Sequence, residues 1–162
     1  MERLGMSAVM PPEHLDSYTA LFDFIYKGDL EAVRVSRELI QLSHVWDDLI
    51  DKDNPVSDDA INAAFMAALC EIGGSWLWDQ DAAALMRVCY IKWRGATFME
   101  TSETCVQPNN MAMAYSARAG FFDLFHHFVY KLHGLRWAEH VSETILRWHG
   151  EDFDDYCKEF WR

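Results

Sequence analysis

The sequence predicts an all-α fold, a six-helix antiparallel bundle, on three observations. Apolar residues recur at helical spacing through six segments of helical length. Stop signals are few and fall between those segments. No stretch alternates polar and apolar residues between turn dipeptides, so strand signals are nearly absent. The chain has 162 residues, 51% of them hydrophobic, enough to bury one sizeable core. Residues 1–12 read as an N-terminal tail and 13–162 as a single helical domain.

Helix one follows Pro11-Pro12, runs from about Glu13 to Lys27 and ends at Gly28. Helix two covers about Asp29 to Lys52 and is closed by the Asn54-Pro55 turn signal. Ser57 and Asp58 cap helix three, which Gly73-Gly74 terminate before the aromatic link Trp76-Leu77-Trp78. Helix four starts at the cap-like Asp79, carries Gly95 in its interior and reaches about Ser102. Pro108 opens helix five, which Gly134 stops. Helix six takes about Leu135 to Phe160.

A formal charge of −12 opposes binding to a nucleic-acid backbone or an anionic membrane, since both repel an acidic surface. Cys70, Cys89, Cys105 and Cys157 form no CxxC pair and have no His at zinc-ligand spacing, so they read as reduced thiols. The N-terminus lacks a run long enough for a signal peptide, and nothing later approaches a membrane span. The expected location is cytoplasmic.

Projection of helix two at about 100° per residue puts Val35, Leu39, Leu42, Trp46, Leu49 and Ile50 on the expected core side. The opposite stripe holds Val33, Arg37, Ile40, His44, Asp47 and Asp51, with Asp48 at its margin. The three carboxylates lie on adjacent turns, close enough to converge on a cation or, equally, to form a solvated face. On helix six, Glu151, Asp155 and Glu159 share a stripe with Trp137, Val141, Thr144 and Trp148. Short connections would make helices two and six parallel, with both acidic clusters at one end. So many carboxylates near two negative helix ends call for cations, and hard divalent ions such as Mg²⁺ are the natural ligand.

Helix five carries Met111, Tyr115, Arg118, Phe122, Phe125 and Val129 on one stripe. An arginine in an apolar line needs an anion, either a bound diphosphate or an internal carboxylate. Arg87 and Arg94 are weaker candidates for the same duty. His44, one turn before Asp47, is placed to orient a carboxylate or a water.

Asp47-Asp48-Leu49-Ile50-Asp51 matches the DDxxD motif of the class I isoprenoid synthases, the helical family of terpene cyclases and prenyl diphosphate synthases, which the chain resembles. Glu151, Asp155 and Glu159, followed at the first position by Asp152, are similar to that family's second metal motif in spacing. The resemblance implies two or three Mg²⁺ ions held by Asp47, Asp48, Asp51, Glu151, Asp155 and Glu159 on a prenyl diphosphate. It implies Arg118 as a diphosphate sensor. His44, Phe122 and Trp148 complete the expected substrate-binding set, with aromatic walls stabilising an allylic cation. The chain is about half the length of a typical member, and Glu and Asp stand at second-motif positions usually held by other residues.

Two alternatives remain open. A MazG-type nucleotide pyrophosphohydrolase would use Glu100-Thr101-Ser102-Glu103 and Glu151-Asp152-Phe153-Asp154, although the gap between them is too long for that pattern. A non-enzymatic acidic binding or inhibitor protein would set its carboxylates against a basic partner. A homodimer is compatible with all three readings, because an aromatic-rich bundle can leave an apolar flank exposed.

Overall fold

A computed structural model describes residues 17–52, 54–102, 107–148 and 152–160. The described residues are helical throughout, with short connections and no strand. Helix α1 (Tyr18–Ile25) starts where the Ala20 amide donates to Ser17 Oγ at 3.2 Å, and α2 (Leu30–Asp51) where the Ala32 amide donates to Asp29 at 2.9 Å. Helix α3 (Asp58–Met66) is capped by Ser57 and continues through a π-helical stretch, Ala67–Ile72. Helix α4 (Gln80–Glu100) is capped by Asp79. These four match the first four expected helices to within a few residues. The start expected at Glu13 lies outside the described residues.

The fifth and sixth expected helices are each divided. Helix α5 (Pro108–Arg118) passes into a 3₁₀ turn, Ala119–Phe121, before α6 (Phe122–His133). The turn lies where the chain meets α4: the buried Cys89 thiol donates to the Gly120 carbonyl at 2.8 Å. A Cβ on Gly120 would stand 3.4 Å from Cys89 Cα, so only a small residue lets the two backbones approach this closely. Helix α7 (Leu135–Arg147) follows Gly134, whose φ of 76° and ψ of 176° suit glycine almost alone. Instead of continuing to Phe160, the helix stops before Trp148 and restarts as α8 (Phe153–Phe160). Asp152 causes the restart, because its carboxylate accepts from the Asp154 and Asp155 amides at 2.9 and 3.3 Å.

Most consecutive helices pack on each other, most extensively α4 with α5 and α6 with α7, while α8 packs on α5. The main core joins Phe22 and Ile25 of α1, Val35 and Leu39 of α2, Phe125 and Phe128 of α6, and Val141 and Ile145 of α7. Two buried polar contacts fix its register: Tyr26 and Ser36 hydroxyls share a hydrogen bond of 2.7 Å, and Trp137 Nε1 donates to the Ile25 carbonyl at 2.8 Å. Burial without a charged partner pushes the Tyr26 hydroxyl pKa far above its ordinary value. A second, smaller core lies at the other end of α4, where Ala96, Met111 and Ala114 receive Tyr156 and Cys157 of α8. Among the described residues Cys70, Cys89 and Cys157 are free thiols, and no helix is long and apolar enough to cross a membrane.

The orientation of α2 differs from expectation. Val33 and Ile40, assigned to the face away from the core, are buried at 8% and 9% exposure, whereas Leu49 and Ile50, assigned to the core, are 44% and 48% exposed. Helix α2 is covered on two sides in its first half by α1 and the later helices. In its second half Leu49 and Ile50 are exposed, as is His44, while Trp46 and Asp47 are half-buried.

Candidate functional site

A pocket of about 260 Å³ opens where α2, α4 and the α5–α6 junction meet. Its walls are aromatic: Tyr18 from α1, Trp46 from α2, Trp93 from α4, and Phe121 and Phe122 from the 3₁₀ turn and α6. Trp46 and Trp93 pack with ring centroids 4.6 Å apart, and Tyr90 stacks on Trp46 at 5.6 Å. The polar lining comes from Ser43, His44, Asp47 and Arg118.

Arg118 is the centre of the site. Its Nε and Nη2 donate to the two carboxylate oxygens of Glu100 at 2.5 and 2.7 Å, a bidentate fork. Its Nη1 lies 3.5 Å from Asp47 Oδ1, and its guanidinium is 5.9 Å from the Trp93 ring centroid. Glu100 is buried at 5% exposure and accepts a third bond, from the Tyr156 hydroxyl at 2.5 Å. The hydrogen bond to Glu100 is the main cause that raises the Arg118 pKa well above its ordinary value, so the guanidinium stays charged. Among the described residues one cation thus faces two carboxylates. The structure supplies the internal carboxylate that an arginine on an apolar stripe requires.

Four residues singled out in the sequence line this pocket: His44, Asp47, Arg118 and Phe122. Trp148 sits one layer back, its ring centroid 4.4 Å from that of Tyr18, whose own ring lies 6.4 Å from His44. Asp48 points elsewhere. It accepts from Asn54 Nδ2 at 2.8 Å and lines a separate depression beside the α2–α3 turn. Asp155 is exposed and accepts from Lys158 at 2.5 Å. Glu151 and the side chains of Asp51 and Glu159 lie outside the described residues. Among the described residues no group of three or more His, Cys, Asp or Glu side chains is placed to hold a metal ion.

The break before α8 removes the continuous stripe on which Trp137, Trp148, Glu151, Asp155 and Glu159 were aligned. What α8 brings toward the pocket is Tyr156, through Glu100 and Arg118. Neither residue was assigned this place from sequence. Glu100 had a legible signal, as a carboxylate on the apolar α4 stripe of Cys89, Trp93 and Ala96. Tyr156 had none beyond its aromatic type. No protein-family model, curated protein or solved structure matches the chain.

Proposed function

We propose that the chain is a small-molecule-binding protein whose ligand places a polar head against Asp47 and Arg118 and a short apolar body against Tyr18, Trp93 and Phe122. One observation carries this reading: His44, Asp47, Arg118 and Phe122, from two distant stretches of chain, line one aromatic-walled pocket. Its volume of about 260 Å³ falls below the roughly 300–1,000 Å³ of drug-sized sites, which restricts the apolar body to a small group. The head that best suits the DDxxD-like stretch is a diphosphate bridged by Mg²⁺, as in an isoprenoid synthase-like protein. The cation would bridge Asp47 to the diphosphate while Arg118 contacts phosphate oxygen.

The test is thermal stability with Mg²⁺ and inorganic pyrophosphate. Saturation to about 100 times Kd should stabilise the fold by about 2.7 kcal/mol, a rise in Tm of roughly 5–10 °C for a chain of this size. Asp47→Ala should remove the rise while the variant remains folded. A native protein with no shift refutes the metal-diphosphate reading, and turnover of prenyl diphosphates then separates an enzyme from a binder.

A second reading rests on the Glu100–Arg118 fork itself. Because Glu100 already occupies the guanidinium, Asp47 and the rings suit an organic ammonium without metal. Tetramethylammonium would then raise Tm in the presence of a chelator, and Asp47→Ala would again abolish the effect.

A further inference from the structure

Helix α4 has no Asp or Glu between Asp81 and Glu100, although the chain carries 26 acidic residues and a charge of −12. Its charged side chains in that interval are Arg87, Lys92 and Arg94. Lys92 donates to Asp123 at 2.8 Å, but Arg87 and Arg94 meet no carboxylate among the described residues. Arg94 instead lies over the Phe98 ring, 5.1 Å from its centroid.

The outward face of α4 is apolar. Val88, Ile91 and Phe98 are 48%, 66% and 65% exposed. At about 100° per residue they share one face with Ala84 and Gly95, and the two arginines run along one edge of it, seven residues apart. A helix apolar on both its inner and outer faces is normally covered on both. Gly95 supports the same conclusion from the backbone. An interior helical glycine costs about 1 kcal/mol relative to alanine, yet among the described residues a Cβ there would meet nothing within 4 Å and no turn requires it. A helix seated in the notch between Ile91 and Phe98 would give the glycine a reason.

We infer that the outer face of α4 is a docking surface for an amphipathic helix of a partner protein, with its apolar stripe on Val88, Ile91 and Phe98. Two carboxylates seven residues apart on that helix would meet Arg87 and Arg94. Charge selects this occupant over a second copy of the chain. In an antiparallel self-pairing across Gly95 the same edges meet, so Arg94 of one copy would face Arg94 of the other, and two surfaces of −12 would repel.

The probe is a synthetic 21-residue helical peptide with leucine on one stripe and two glutamates seven apart on its edge. The control carries lysine at both glutamate positions. Fluorescence anisotropy with the full chain should show the glutamate peptide binding at least tenfold more tightly. The Arg87→Glu/Arg94→Glu variant should reverse that preference, a result that loss of folding cannot imitate. Gly95→Leu should weaken binding without lowering Tm. Absence of binding, or equal binding of both peptides, overturns the proposal. So does a dimer in sedimentation that Ile91→Glu dissociates, or binding to phosphatidylserine vesicles that the double arginine variant abolishes.

Discussion

The Arg118–Glu100 pair makes a prediction that can be worked from its geometry. Glu100 has a side chain 2% exposed and Arg118 one 20% exposed, so the carboxylate cannot fall back on bulk water and the guanidinium can do so only in part. Removing one member of such a buried pair typically costs about 3–5 kcal/mol, since the other is left uncompensated. Glu100→Met should cost less, about 2–4 kcal/mol, because Arg118 keeps Asp47 at 3.5 Å and a fifth of its surface in solvent. Arg118→Met should cost more, since it strands the deeper carboxylate with the Tyr156 hydroxyl as its remaining donor among the described bonds. The double variant should return to within about 1 kcal/mol of the parent, because apolar side chains of similar volume replace both charges at once. Urea unfolding, followed by tryptophan fluorescence and by circular dichroism, gives the four free energies of the cycle. Additive single effects, or a harmless Glu100→Met, would show that the fork contributes nothing to the fold.

Three further outcomes follow from separate parts of the molecule. Tyr156→Phe should destabilise by about 1.5–3 kcal/mol in the same urea assay, the worth of a hydrogen bond to a charged acceptor, and leave the ellipticity of the folded baseline unchanged. Gly134→Ala should lower stability by about 1–3 kcal/mol, because φ of 76° with ψ of 176° is closed to alanine; a smaller change would mean the turn relaxes freely. The Asp79 carboxylate, held by Lys131 and by the Ala82 amide, has its pKa lowered from 3.8 to about 2. Its contribution is therefore complete above pH 3.8 and is lost as pH falls toward about 2. The Tm gap between the parent and Asp79→Asn should shrink across that window, and a constant gap would exclude the linkage.

Much of this architecture is legible in local chemistry. Ser57, Asp79, Pro108 and Gly134 mark real helix boundaries because caps and stops act within one turn. The stripe of Met111, Arg118, Phe122, Phe125 and Val129 survives the 3₁₀ turn at Ala119–Phe121, since tightening one turn shifts the phase only slightly. The burial of α2 was not legible. Val33 and Ile40 versus Leu49 and Ile50 are equally apolar, and the packing of other elements on α2, α1 and α3 among them, decides which are covered. The break before α8 had a signal, Gly150 followed by Asp152, that the intact acidic spacing from Glu151 to Glu159 concealed. In the site, His44, Asp47, Arg118 and Phe122 line one pocket, although the sequence pattern puts the stripe of His44 and Asp47 on the side of α2 away from the core. Glu100 and Tyr156 depend on α4 and α8 meeting across α5, a long-range fact that no local pattern encodes.

The small core under α8 has a consequence for how the molecule opens. Tyr156 and Cys157 seat this helix on α4 and α5 rather than on the main core, so its local unfolding need not disturb α1, α2 or α7. Such an excursion would carry Tyr156 off Glu100 and admit water to the fork that holds Arg118. Amide exchange along α8 would therefore report on the pocket from a distance: a ligand that strengthens the fork slows that exchange, and one that draws Arg118 away accelerates it.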